Sequence, residues 1–205
     1  TMVAQNAKRL EKIVDDILNV SRVRGSDPGL LNALMPLRDV VHRIASDWAQ
    51  QTGATSQLQL QVHGTDKGLQ VRFDADHLRQ VLVNLLDNAK RYASHRAASI
   101  QVLVLSGDGP YATVSVWSDG APMEASVERH LFEPFFSSES RSSGLGLYIS
   151  RELCERHGAT LAYERSPCTV SGQLVEGNTF ILQLNLSAEE GRGEHNDAPW
   201  QTSLY

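Results

Sequence analysis

The sequence predicts an α+β fold, a mixed sheet with its helices on one face. Segments with a helical repeat of apolar residues are interspersed with short alternating segments, so both element types share the chain. Neighbouring alternating segments are joined closely enough to read as hairpins, which argues against an all-parallel, doubly wound sheet. Hydrophobic residues make up 41% of the 205 residues against 21% charged, the balance of a chain that builds a core.

Leu10, Ile13, Val14, Ile17 and Leu18 recur at helical spacing, predicting an amphipathic helix over 7–24 that Gly25 and then Asp27-Pro28-Gly29 end. Its seam must be buried, either on a partner helix from another chain or on its own domain. Pro36 is expected as the first residue of a second helix, with Leu37, Val40, Val41, Ile44 and Trp48 on one face and Gly53 as the stop. Leu58, Leu60 and Val62, then Leu69, Val71 and Phe73, alternate as two strands across a glycine-containing turn. Asp74 is the expected cap of a third helix that runs to about Tyr92. Residues 100–105 and 111–117 form an expected hairpin, and a fourth helix is expected over 145–157 with Gly158 at its C′ position. Strands over 160–164 and 179–185 follow. Residues 187–205 lack periodicity and are expected not to fold.

A net charge of -5 does not describe a general nucleic-acid binder, although a local basic groove for phosphate remains compatible with it. No apolar run is long enough to cross a bilayer. The chain starts in mid-pattern, which is expected of the soluble, cytoplasmic part of a longer protein that reaches a membrane only through other regions. Cys154 and Cys168 show neither metal-ligand nor disulfide-framework spacing, so both are expected to be reduced.

On the third helix, Gln80, Asn84, Asn88 and Arg91 fall at steps of four, four and three, opposite the stripe Leu78, Val81, Leu82, Leu85 and Ala89. Asparagine is a mediocre helix former, so the aligned pair is either a solvated face or a functional one. In the functional reading, amide oxygens serve as hard ligands for a magnesium ion held by nucleotide phosphates, and Arg91 opposes phosphate charge. Ser118-Asp119-Gly120 ends a strand. Glycine there lets a ligand approach the backbone, and a carboxylate beside it can accept from a buried amine. Residues 137–143 are small and polar, and Gly144 and Gly146 bracket Leu145 where the next helix begins, a place where free N–H groups attract phosphate.

These motifs, in this order, resemble the catalytic ATP-binding domain of sensor histidine kinases, in the GHKL family of ATPases. The resemblance covers roughly residues 5–186. Residues 84–92 (NLLDNAKRY) match the N box, Asp119-Gly120 lies in the first glycine box, residues 132–136 (FEPFF) match the F box, and residues 144–147 (GLGL) match the second glycine box. The stretch FEPFFSSES looks most like nitrogen- or pilus-regulating sensor kinases. The resemblance implies a two-layer α/β sandwich of the Bergerat type with Mg-ATP between the N-box helix and a short lid at 137–143. It implies that Asn88 ligates magnesium, that Asn84 and Arg91 face the phosphates, and that Tyr92 lines the nucleotide pocket. Ser118, Asp119, Gly120, Phe135, Gly144, Leu145, Gly146 and Leu147 are the other implied nucleotide-binding positions, the glycines acting through backbone N–H groups.

Two departures stand out. The first glycine box usually reads Asp-x-Gly-x-Gly, but anchoring on Gly120 puts Ser118 at the adenine-reading Asp and Pro122 at the second glycine. Nor does the chain contain the phosphoacceptor histidine, since His42, His63, His77, His95, His130 and His157 all lack its context and suit surface or cap roles. The expected organisation is the end of a dimerisation helix over 1–25, a linker over 26–36, the catalytic domain over 37–186 and the tail. The implied partners are a second copy through the N-terminal helix and a response regulator receiver domain, with no nucleic acid. The rival readings are an anti-sigma-type serine kinase and a non-catalytic module that docks a response regulator.

Overall fold

The computed structural model describes residues 14, 33–63, 69–106, 109–136 and 144–187. Apart from the helical Val14, the expected helix over 7–24 lies outside the described residues, as do the polar run 137–143 and the tail beyond Ser187. The elements are β1 (Leu34–Pro36), α1 (Leu37–Thr52), β2 (Leu58–His63), β3 (Gln70–Arg72), α2 (Ala75–Tyr92), β4 (Ile100–Ser106), β5 (Tyr111–Ser118), α3 (Ala125–Arg129), α4 (Gly146–Arg156), β6 (Thr160–Val170) and β7 (Gln173–Asn185).

The expected mixed sheet is present, with five strands in the order β2-β4-β5-β7-β6. Only β2 and β4 run parallel, and the other pairings are antiparallel. Strands β2 and β3 do not form a hairpin. β3 pairs instead with β1, a strand within the span expected to be linker, and Pro36 ends that strand rather than opening the helix. The short helix α3 also falls where no element was expected.

Register makes the core a set of rows across the sheet. Val102, Val116, Phe180 and Tyr163 stand side by side, as do Val104, Val114, Leu182 and Leu161. Every member but Tyr163 is buried, because α2 and α4 lie over this face. Helix α2 covers it with Leu78, Val81, Leu82, Leu85, Leu86 and Ala89. Its start is fixed by Asp74, whose carboxylate accepts from the backbone N–H groups of Asp76 and His77, both at 2.9 Å. The other side of α2 is tied to α1, where Trp48 Nε1 donates to Asp87 at 2.9 Å and the Lys90 ammonium donates to the Thr52 carbonyl.

Helix α4 crosses α2 in the antiparallel sense. His77 near the start of α2 meets His157 at the end of α4, with Nδ1 and Nε2 2.8 Å apart, and the His157 ring lies 4.1 Å from that of Phe73. His157 is therefore more than a helix cap. Burial first, and then the neighbouring His77, push its pKa from 6.5 down to about 4. Cys154, buried on α4, has its thiol pushed up to about 12 by burial, which leaves it an inert packing group.

The last hairpin is much longer than expected, because β6 and β7 continue past the end of β5 as a two-stranded arm. The arm turns back over the outer face of the sheet. Trp117 Nε1 donates to the Ser166 carbonyl at 3.0 Å, and Gln101 on β4 donates to the Thr169 carbonyl at 2.9 Å. A Cβ at Gly177 would stand 2.3 Å from the Trp117 ring, so this bend requires glycine. We expect Gly177→Ala to lower stability by about 1–3 kcal/mol in denaturant unfolding followed by tryptophan fluorescence.

The His157 shift has a pH signature. Between pH 6.5 and about 4 the unfolded chain binds the proton that folded His157 refuses, so its contribution to stability fades as pH falls through that window. The denaturation midpoint of His157→Gln should accordingly fall less than that of the wild type on acidification from pH 6.5 to 4.

Candidate functional site

The antiparallel crossing sets where the two helices part. Asn84 Nδ2 donates to the Gly146 carbonyl at 3.2 Å and to Ser150 Oγ at 3.3 Å, binding the middle of α2 to the first turn of α4. From Asn84 to Tyr92 the helix continues for eight residues, about 12 Å at 1.5 Å each, past the start of its partner. Asn88 and Arg91 lie on the same face as Asn84, one and two turns further on, and so flank the space in front of α4. Arg91 is exposed and Asn88 half-buried, and neither side chain makes a hydrogen bond or ion pair with another described residue. Among the described residues no side chain caps the start of α4, which borders the same space.

The floor of that space is a third row of the sheet. Leu58, Ile100, Ser118, Asn178 and Arg165 stand side by side on the helix-facing side, where the apolar rows end. Asn178 is buried and held at both ends of its amide: Nδ2 donates to the Ala121 carbonyl at 2.9 Å, while Oδ1 accepts from Tyr163 at 2.8 Å and from Arg165 at 3.1 Å. Arg165 also donates to the Gly120 carbonyl at 3.2 Å. Burial, and secondarily the charge of Glu128, raise the Tyr163 pKa, keeping its hydroxyl a donor to Asn178. Gly120 packs between Asn178 and the Tyr92 carbonyl, which brings the end of β5 against the end of α2.

The two residues before Gly120 divide. Asp119 turns to the loop after α2, accepting from the Ser94 N–H at 2.8 Å and from the Ser94 hydroxyl. Its carboxylate is held away from the floor. Ser118 points into the helix-facing layer, is 4% exposed, and its hydroxyl makes no hydrogen bond to another described residue.

On the far side, Phe132 packs edge-on against Phe180 with ring centres 6.5 Å apart, and the Arg151 guanidinium lies 5.5 Å from its ring centre. These contacts fix residues 132–136 against α4 and β7. Phe135 itself is 70% exposed at φ 63°. Gly144, at φ 66°, abuts the backbone of Phe135 and Phe136, where a Cβ would come within 2.6 Å. The chain therefore leaves at Phe136 and returns at Gly144 through a single point. Leu145 is buried in the core, so its side chain faces away from the space and only its backbone borders it. Leu147 is half-buried on α4.

Asn84, Asn88, Arg91, Tyr92, Ser118, Gly120, Gly144 and Gly146 thus border one space, while the side chains of Asp119 and Leu145 are engaged elsewhere. Asn178, Arg165 and Tyr163, which hold the floor, were not expected from sequence. Their only signal was the alternation of β6 and β7, and the strand bounds expected there stopped short of Arg165 and Asn178.

The family model described as histidine kinase-, DNA gyrase B- and HSP90-like ATPase matches residues 73–188. The chain is 34% identical to the sensor protein kinase PilS of Pseudomonas aeruginosa over 165 residues, which are 79% of this chain and 30% of PilS. It spans well under half the length of the curated relatives it matches. Among solved structures, full-length ShkA in complex with AMPPNP gives a TM-score of 0.66 at 20% identity, covering 87% of this chain and 36% of that one. Histidine kinase ThkA in complex with the response regulator protein TrrA gives 0.66 at 23% identity, covering 92% and 51%. At these identities the two structures establish the shared fold.

Asn84 and Asn88 differ physically, one tying two helices together and the other without a hydrogen-bond partner among the described residues. Asn84→Ala should reduce stability by about 1 kcal/mol, whereas Asn88→Ala should leave it within about 0.5 kcal/mol, both read from chemical denaturation without nucleotide.

Proposed function

The chain belongs to the histidine kinase-, DNA gyrase B- and HSP90-like ATPases, and from that membership we propose that it is the catalytic portion of a two-component sensor histidine kinase. In this reading it binds Mg-ATP and delivers the γ-phosphoryl group to a histidine on a dimerisation helix, from which a response regulator aspartate takes it. The observation that carries the reading is the overhang of α2. It sets a hard amide oxygen, a guanidinium and an aromatic ring around the uncapped start of α4.

Each residue has a role that its chemistry fits. Asn88, with no internal partner among the described residues, offers an amide oxygen to magnesium. Among the described residues no group of three His, Cys, Asp or Glu side chains could hold a metal alone, so phosphate oxygens would complete the ion's shell. Bound magnesium would supply charge neutralisation on the phosphates. Arg91 opposes phosphate charge, and the N–H groups of Gly144, Gly146 and Leu147 receive phosphate oxygens at the helix start. Tyr92 and Ser118 border the base, Asn84 acts by fixing α4 against α2, and Phe135 stands at the rim where residues 137–143 would close over the nucleotide. Phosphoryl transfer asks a protein mainly for position and charge, and rigid packing of α2, α4 and β5 supplies position.

PilS is by name a sensor protein kinase, and the ThkA structure holds a response regulator. These support kinase activity and a receiver-domain partner for the intact protein, with residues 1–25 as part of a dimerising helix and the catalytic domain following. No helix among the described residues is long and apolar enough to cross a membrane. A cytoplasmic place for this portion, with any membrane contact through other regions, fits that.

Calorimetric titration with ATP in the presence and absence of magnesium tests the assignment. Asn88→Ala should lose the magnesium-dependent part of the affinity, and Arg91→Ala should weaken binding at least about tenfold. Unchanged affinity in the Asn88 variant would overturn the site.

A further inference from the structure

The floor of the site has an unusual chemical composition where it meets Tyr92. Among the described residues the buried polar side chains are Ser99, Gln101, Ser118, Ser150, Asn178 and Thr179, and no carboxylate is among them. Asp119, the only acidic neighbour in sequence, is held by Ser94. Asn178 is held by Ala121, Tyr163 and Arg165, which take three of its four hydrogen-bonding positions. What remains facing the space is the Ser118 hydroxyl, 4% exposed and without a hydrogen-bond partner among the described residues. The sealed hydroxyls without a partner among the described residues are those of Ser99 and Ser106, not Ser118, so the Ser118 oxygen opens onto space and is free to take an external partner.

We propose that Ser118 makes the site indifferent to the group at position 6 of a purine, so that 6-amino and 6-oxo purine nucleoside triphosphates are both ligands. This rests on the nucleotide-binding reading above and specifies its substrate class.

A carboxylate at this point would only accept hydrogen bonds, and so would select the 6-amino group of adenine and repel the 6-oxo group of guanine or hypoxanthine. A hydroxyl has one donor and two acceptor lone pairs on a rotatable bond. It accepts from an amine in one rotamer and donates to a carbonyl oxygen in another. Neither base leaves it unpaired, and the penalty for an unmatched buried group, which is what makes a polar pocket selective, does not arise. No neighbouring carboxylate restores the bias, because Asp119 is bound to Ser94, and the orientation of Asn178 is fixed by Ala121, Tyr163 and Arg165.

The test is calorimetric titration of the full chain with the magnesium complexes of adenosine, guanosine and inosine triphosphate. Inosine lacks the 2-amino group of guanine, so it differs from adenosine only in the position-6 group and in the proton that the 6-oxo form carries on N1. Dissociation constants for the adenosine and inosine nucleotides within about fivefold of each other are expected. Ser118→Asp should then favour adenosine by at least about twentyfold. Because a buried carboxylate can unfold the domain, Ser118→Ala provides the second arm: it should weaken both nucleotides by a similar factor and keep their ratio, with circular dichroism confirming the fold. An adenosine preference above about twentyfold in the wild type would overturn the proposal, as would undiminished affinity for both nucleotides in Ser118→Ala. Failure of all three nucleotides to bind is a different result, which would remove the nucleotide-binding reading itself and the selectivity proposal with it.

Discussion

Packing of α4 across α2 is the constraint from which the site follows. The two helices share one side of one sheet, and their crossing is pinned at both ends, by Asn84 on Gly146 and Ser150 and by His77 on His157. With that crossing fixed, the last two turns of α2 run past the start of α4, and on that face no other helix among the described residues covers them, so polar side chains stand there at little desolvation cost. A shift of α4 by one turn toward the end of α2 would bury Asn88. The functional face and the packing face are thus the same face of α2, separated only by where the partner helix begins.

The sheet contributes in the same graded way. Rows of Val, Leu and Phe run beneath the helices, then one row changes to Ser118, Asn178 and Arg165. A site built on the ends of paired strands is held by backbone hydrogen bonds and does not depend on loop conformation for its floor. Arg165 and Tyr163 reach this row from the edge strand. Their contacts to Asn178 and Gly120 tie the loop after β5 to the far side of the sheet.

The parts legible in the sequence are those in which local and global preferences agree. Helix α2 could be read to the residue because Asp74 caps it and its apolar spacing is unbroken. Ser118 could be located by counting from Gly120. The β6–β7 arm could not be read, because Pro167 and Gly172 look like breakers. Pro167 is tolerated because β6 is an edge strand, and Ser171-Gly172 supply the two positive φ angles of a tight hairpin turn. Strand β1 escaped notice because its three residues precede a proline that looks like a helix start. The engagement of Asp119 by Ser94 joins residues 25 apart and leaves no periodic trace.

The closure of Phe136 on Gly144 bears on how such a domain can be altered over time. Since Phe136 and Gly144 touch through their backbones, neither helix nor sheet dictates how many residues join them. Doubling such a span adds only about 0.6 kcal/mol of closure entropy. Insertions and deletions there leave the framework of α2, α4 and β5 as it is. The number of residues between Phe136 and Gly144 is therefore open to change by evolution or by design, whereas the glycine at that junction has no substitute.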